Sequence, residues 1–368
     1  MILTTDLNCT QNKNSSQVKP TVFGNCSNTD GYKYTVYSAM YCVIFPLALT
    51  SNCLALYVFC RLTRKRTPST VFMTNLSFSD LLFSLTLPFR ITYFFRKGEW
   101  DFPDWLCRFC TFAFYTNLYA SILFLTCLSV VRYVAVLYPI KAKNIFTVKK
   151  AICTSVAMWI FVILSSCPFF LSGTFERGGK LRCFEPKDQK SWGRILIMNY
   201  FALVLGFLLP FFTILCCYCR IIRRLTSSQR DLRKNKQSRR RSIYLIVLVF
   251  ISFIFCFLPY HIQRTVHLHF KMSKADCSKL VLMEKAVVIT ICLAATNSCL
   301  NPLIYYFVGQ TFRRRVSNAF METMNSKRLS RQSNSSFSPS IRRGSGYSLK
   351  AKIIASLAMA ATERRRRS

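Results

Sequence analysis

Seven stretches of 22 to 26 residues in this chain carry almost no formal charge, and that narrows sharply what it can fold into. They are residues 35–60, 67–89, 109–131, 151–175, 195–219, 242–263 and 286–310, and the one charge among them is Asp80. A helix needs roughly 20 residues to cross a hydrocarbon layer about 30 Å thick, so each stretch is long enough. In lipid only a helix or a closed barrel satisfies its backbone. None of the seven shows the two-residue alternation of barrel strands. The sequence predicts an all-α membrane protein, with a seven-transmembrane helix bundle over residues 35–310.

The rest of the chain is strongly basic, with 51 Lys+Arg against 14 Asp+Glu and a net charge of +37. In a soluble protein that balance would point to nucleic acid. Placement decides against it. Alternate connecting segments sum to +30 on one side of the bundle and +7 on the other. The positive-inside rule puts the +30 side in the cytoplasm and residues 1–34 outside. The sequons at Asn8, Asn14 and Asn25 fall in that outer segment, where glycosylation is expected, and a fourth at Asn334 should be silent. No cleavable signal peptide precedes the first stretch, which is expected to serve as its own targeting signal.

Of 18 cysteines, 13 lie in or at the edges of the stretches, where they act as small apolar residues. Cys9, Cys26, Cys107, Cys183 and Cys277 lie outside, and spacing leaves their pairing open, with one thiol left over. After the last stretch, Phe312, Val316, Phe320 and Met324 recur at i+4 beside Arg313, Arg314 and Arg315. This predicts a short amphipathic eighth helix on the membrane surface over residues 311–324. No cysteine follows Cys299, so that helix has no thiol for a palmitoyl anchor. Residues 325–368 are rich in Ser and Arg and read as a disordered cytoplasmic tail drawn to anionic membrane lipids.

Enzyme chemistry finds no foothold. There is no HExxH, no pair of intramembrane acids and no phosphate-binding loop. His261, His267 and His269 fit interfacial packing better than a zinc site. A transporter or channel would show internal repeats or several buried charges along a pathway, and neither is present.

Each stretch carries a mark of one family. The first holds Asn52; the second reads Asn75-Leu76-Ser77-Phe78-Ser79-Asp80; the third ends Ser129-Val130-Val131-Arg132-Tyr133. Trp159 lies in the fourth, Pro210 and Tyr218 in the fifth, Phe257 and Pro259 in the sixth, and Asn301-Pro302-Leu303-Ile304-Tyr305 closes the seventh. In this order and spacing the chain resembles the rhodopsin-like G-protein-coupled receptors from about Tyr34 to Met324. Leu87-Pro88-Phe89-Arg90, Tyr115-Thr116-Asn117-Leu118-Tyr119 and Arg182-Cys183-Phe184-Glu185-Pro186 look like its branch of lipid-mediator and nucleotide receptors. The run Pro259-Tyr260-His261-Ile262-Gln263-Arg264-Thr265-Val266-His267 is most similar to the cysteinyl leukotriene receptors. Receptors for lysophospholipids or nucleotides share much of the pattern.

The resemblance implies a plasma-membrane receptor for an acidic lipid, acting through a heterotrimeric G protein of the Gq class and calcium, with arrestin and receptor kinases at the tail. It implies disulfides Cys107–Cys183 and Cys26–Cys277. Asp80 resembles the family's sodium-binding aspartate, with Asn117, Ser121, Asn297 and Asn301 as polar neighbours and the ion as allosteric modulator. Arg132, Tyr218, Phe257, Pro259, Asn301, Pro302 and Tyr305 match its activation switches. Three departures stand out: Val131 where the family has an acid, Arg239 in place of an acid at the start of helix six, and Asn301 for the branch's Asp.

The residues themselves suit such a ligand. A cysteinyl leukotriene joins a long unsaturated chain to a peptide bearing carboxylates, so it needs an apolar slot and fixed cations. Phe253, Phe257, Tyr260, Arg264 and His267 share one helical face, as do Phe112, Tyr115 and Tyr119 on another. Arg90 lies within the outer half of helix two, just past the second stretch, where an unpaired cation costs several kcal/mol or is hydrated. Arg90, Tyr115, Tyr119, Tyr260 and Arg264 are the expected ligand contacts.

Overall fold

The computed structural model describes residues 30–63, 65–171, 173–184, 189–227, 236–273 and 277–308, with 312–314, 317 and 321. The sequons Asn8, Asn14 and Asn25, and Cys9 and Cys26, lie outside these residues, as do Val316, Phe320, Met324 and the tail from residue 322.

Seven helices are long and apolar enough to cross a membrane: α1 over Asp30–Leu62, α2 over Pro68–Phe95, α3 over Asp104–Leu137, α4 over Val148–Phe170, α5 over Trp192–Arg224, α6 over Ile243–Met272 and α7 over Ser278–Tyr306. Most run past the uncharged stretches, because a helix does not stop where hydrocarbon stops. Starts are set by caps: Thr67 accepts from the Thr70 amide (3.2 Å) with Pro68 at the first helical position, and Thr147 accepts from the Lys150 amide (3.3 Å). The largest correction is at the fourth stretch. It does not stay helical to Phe175; Phe175 instead begins a strand. Gly173 and Thr174 break away from the helix, and the Thr174 amide and hydroxyl both donate to Asp104 Oδ1 (2.6 and 2.8 Å).

That strand, β1 (Phe175–Arg177), pairs antiparallel with β2 (Lys180–Arg182), with Phe175 opposite Arg182. Gly178 and Gly179 turn it with φ of +62° and +70°, the left-handed pair a two-residue hairpin requires. Cys183, just after β2, is bonded to Cys107 in the first turn of α3.

α3 is the hub, contacting α2, α4, α5 and α6, while α1 packs on α2 and α7. Polar ties join neighbours where apolar packing has no directional force in lipid. Trp159 Nε1 donates to Asn75 Oδ1 (α4 to α2, 2.8 Å), Ser129 pairs with the Tyr218 hydroxyl (α3 to α5, 2.8 Å), and Asn199 donates to Thr265 (α5 to α6, 2.8 Å). α5 widens into a π-turn over Ala202–Leu208 just before Pro210, and α6 over Ser252–Phe257 just before Pro259. Proline lacks an amide and crowds the preceding turn, and a π-turn absorbs that misfit. Beyond α7, Phe312–Arg314 are helical, and Phe312 is buried with its ring 5.3 Å from Phe59 and 6.3 Å from Tyr305.

Candidate functional site

A cavity of about 140 Å³ lies at the disulfide-bearing end of the bundle, between α1, α2, α3, α6, α7 and the segment after β2. Arg90, Tyr115 and Arg264 line it together with Tyr37, Tyr41 and Phe184. Arg90 is only 6% exposed and does not reach outward to water. Its Nη2 donates to the Cys110 carbonyl at 2.8 Å, and the guanidinium carbon lies 4.2 Å from the Phe184 ring centroid and 5.4 Å from that of Phe114. A cation held between two ring faces keeps part of its solvation replaced by π-electrons. Its Nε has no partner among the described residues.

Arg264 faces the same cavity from α6. It stands one residue past the uncharged stretch, is half-buried, and α6 continues beyond it to Met272. Its Nη2 donates to the Tyr115 hydroxyl at 3.3 Å, and the Tyr115 ring stacks on Phe169 at 3.6 Å. Tyr119 and Tyr260 do not line this cavity. Each sits one turn deeper than its cavity-facing neighbour, about 6 Å along the helix. Tyr119 packs toward His261 (6.0 Å), as does Tyr260 (5.1 Å). Its ring fits because position 206 has no side chain: a Cβ on Gly206 would stand 2.8 Å from Tyr119 Cδ1. Gly206→Ala should therefore lower the apparent Tm of detergent-solubilised protein by overpacking, at a cost of about 1–3 kcal/mol. Gly206→Ala should cost much less in a Tyr119→Ala background than in the wild type, and an unchanged Tm in Gly206→Ala would contradict the packing.

A floor of aromatic rings closes the site on its loop side. Phe184 meets Tyr93 at 5.3 Å and Trp100 at 5.5 Å, edge to face. Trp100 is almost wholly buried, and its amide is tied to the Leu181 carbonyl (2.9 Å), which fastens the hairpin to the α2–α3 loop. Gly98, at φ +80°, makes that loop tight enough for Arg182 and Tyr34 to pack against it.

Deeper in the bundle, Asp80 is fully buried and both oxygens are occupied. Asn117 Nδ2 donates to Oδ1 (2.9 Å) and Asn301 Nδ2 to Oδ2 (2.8 Å). Ser298 donates to Asn117 Oδ1 (3.3 Å), and Asn52 Nδ2 donates to the Ser298 carbonyl (3.0 Å), extending the network into α1. Of the expected neighbours, Asn117 and Asn301 touch Asp80. Ser121 and Asn297 are buried, and Ser121 Oγ, Asn297 Oδ1 and Asn301 Oδ1 have no partner among the described residues. Ser298, which the sequence did not single out, joins this bonded network through Asn117.

These positions belong to a recognisable pattern. Residues 51–305 match the family model for the 7 transmembrane receptor (rhodopsin family). The chain belongs to that family. Cysteinyl leukotriene receptor 1 of Cavia porcellus is 42% identical over 81% of this receptor and 89% of its own length. Cysteinyl leukotriene receptor 2 of Homo sapiens is 40% identical over 80% and 84%. Lysophosphatidic acid receptor 6 of Gallus gallus is 37% identical over 79% and 95%. This is a G-protein-coupled receptor of the cysteinyl leukotriene branch, and not an enzyme.

Phe257 and Tyr305 are fully buried, Tyr218 nearly so, and Pro302 lies inside the last helix. The Cys107–Cys183 bond is present, with Cα atoms 5.9 Å apart. The expected Cys26–Cys277 bond lies outside the described residues, because Cys26 does. Sequence reasoning missed Tyr37, Tyr41 and Phe169. A tyrosine pair at i, i+4 in α1 was the available signal for the first two.

Proposed function

We propose that this receptor is activated by an acidic lipid mediator of the cysteinyl leukotriene type and signals through a Gq-class G protein to calcium. It sits in the plasma membrane with residues 1–34 outside and its basic end in the cytoplasm, where the tail meets arrestin, receptor kinases and anionic lipid. One observation carries the ligand class. Two guanidinium groups, Arg90 and Arg264, face one aromatic cavity, and no carboxylate is among the described residues that line it. Such a pocket is short of negative charge, and a ligand with more than one carboxylate supplies it. Tyr115 walls the slot for the apolar chain, and Tyr119 and Tyr260, one turn deeper, would meet only the end of a chain that reaches past the cavity.

The test is calcium mobilisation in transfected cells against leukotrienes C, D and E, lysophosphatidic acid and nucleotide diphosphates. A leukotriene should be the most potent. Lysophosphatidic acid, suggested by the 37%-identical relative, is the competing reading and wins if it alone responds.

Activation would open the cytoplasmic side by rotating α6 about the π-turn and Pro259, with Phe257 at the pivot and Arg132, Tyr218, Pro302 and Tyr305 stabilising the open state. Val131, buried at 8% exposure, holds no acid beside Arg132. Val131→Asp should place a carboxylate there and lower ligand-free inositol phosphate accumulation at matched surface expression. Equal or higher basal output would count against it.

A sodium ion fits the Asp80 network as modulator. Asp80 would hold it, and the buried oxygens of Ser121, Asn297 and Asn301 that lack partners among the described residues would complete its shell. Asp80→Asn should make agonist affinity insensitive to sodium concentration. Retained sensitivity would remove the assignment.

A further inference from the structure

Along the basic half of α5, exposure repeats with helical period. Ile214, Cys217, Tyr218 and Ile221 are buried, while Phe212, Leu215, Cys216, Cys219 and Ile222 are exposed. The exposed set is a lipid-facing stripe, and it contains two thiols at i, i+3, both free and both exposed. Cys217, between them in sequence, points into the bundle. Exposed and buried thiols thus stand side by side on one helix.

Depth and pairing together single out these two: Cys60, next to Arg61, and Cys153, one turn after Lys150, are also exposed at the basic end, but neither has a second exposed thiol one turn away among the described residues. Cys219 directly precedes Arg220, and Arg223 and Arg224 follow one turn on, all three exposed. Arginines in such a collar lay their stems on the apolar face and keep their guanidinium groups in the headgroup layer. The Cys219 thiol is therefore at the hydrocarbon boundary, and Cys216 about 4.5 Å deeper. A thiol at that level is within reach of a membrane-bound acyl donor, and a chain attached there can run inward along Leu215 and Phe212.

We propose that Cys216 and Cys219 are an S-acylation site, with Cys219 the principal acceptor of a long-chain fatty acyl group. The cysteine sulfur attacks the carbonyl of an acyl-coenzyme A thioester delivered by a membrane acyltransferase. A new C–S bond forms, the old one breaks, and the cysteine proton leaves with the coenzyme A thiol. No redox partner is needed. Juxtamembrane cysteines are the usual substrates of this exchange. The attached chain adds lipid contact to α5 on the face opposite Tyr218, leaving the helix interface untouched.

The proposal rests on the reading that the basic end is cytoplasmic, so the experiment checks that separately. Full-length receptor with an epitope at its carboxyl terminus is expressed in cells fed alkyne-palmitate, and receptor-normalised label is measured before and after neutral hydroxylamine. Hydroxylamine-sensitive label is expected on the wild type. It should drop to a small remainder in Cys219→Ser and to background in Cys216→Ser/Cys219→Ser, and stay at the wild-type level in Cys60→Ser and Cys153→Ser, whose thiols are also exposed. Full label on the double serine variant, or none on the wild type, overturns the proposal. Staining of the epitope in intact cells instead overturns the orientation.

Discussion

Arg90→Ala and Arg264→Ala should each weaken leukotriene potency about ten- to hundredfold in a calcium dose–response, at matched surface expression. A hydrogen bond to a charged group is worth roughly 1.5–3 kcal/mol, and each 1.4 kcal/mol is about tenfold in affinity. The two variants should differ in a second respect. Arg90 donates to the Cys110 carbonyl and fills the space between Phe114 and Phe184, so truncating it leaves a buried acceptor without its donor and a gap between rings. Among the described residues, Arg264 donates to the Tyr115 hydroxyl alone. Arg90→Ala should therefore lower receptor yield as well as potency, and Arg264→Ala potency alone. Lysine at either position should recover part of the loss, since an ammonium keeps the charge but not the planar fork. An uncharged ligand analogue should be far less sensitive to both changes. Wild-type potency in both alanine variants, or equal losses for charged and uncharged ligands, would refute the assignment.

Opening the disulfide should cost more. Cys107 and Cys183 are 76 residues apart in sequence, and closing a loop of that size restricts the unfolded chain by about 4 kcal/mol in the loop-entropy picture. The bond also fixes Phe184, one residue on, against Arg90 and Trp100. Cys183→Ser should abolish surface delivery or reduce leukotriene binding by roughly a thousandfold in what reaches the surface. Cys107→Ser should match it, and the double variant should be no worse, because one bond is lost in all three. Wild-type binding by either single variant would show the loop is held by its other contacts. Those are real: the Leu181 carbonyl accepts from Trp100, and Lys180 donates to Glu99 at 2.8 Å, holding the Glu99 carboxyl below its ordinary range.

The bundle was legible because lipid enforces one rule, the exclusion of charge, over seven separate lengths of chain. Its ends were not, because that rule says nothing about helix outside hydrocarbon. Arg264 shows the difference: charge depletion stops just before it, at Gln263, while the helix goes on. The hairpin carried its own signal in Gly178-Gly179 between two short runs, but three-residue strands give alternation too little length to register. Arg90 and Arg264 could be found from sequence, since each is the first cation after a long, almost uncharged run. Tyr37 and Tyr41 could not be ranked among 17 tyrosines, because what selects them is the approach of α1 to the other helices. Ser298 was missed for a similar reason. A small hydroxyl gains importance only when Asn117 and the Asp80 pair are placed against it.

The two π-turns set the aim of everything that follows them. An α-helix rotates roughly 100° per residue, so one residue taken up in a wider turn resets the azimuth of every later side chain. In α5 the widening at Ala202–Leu208 precedes the tyrosine that meets Ser129, and its phase decides which side chains look inward: Tyr218 and Ile221 in, Cys219 and Ile222 out. Removing a single residue from that turn would leave composition and hydropathy almost unchanged, yet swing this half of the helix by more than a quarter of a circle. The partnership of Tyr218 with α3 is thus encoded in residue counting some ten positions away, a form of specification that no contact of Tyr218 itself reveals.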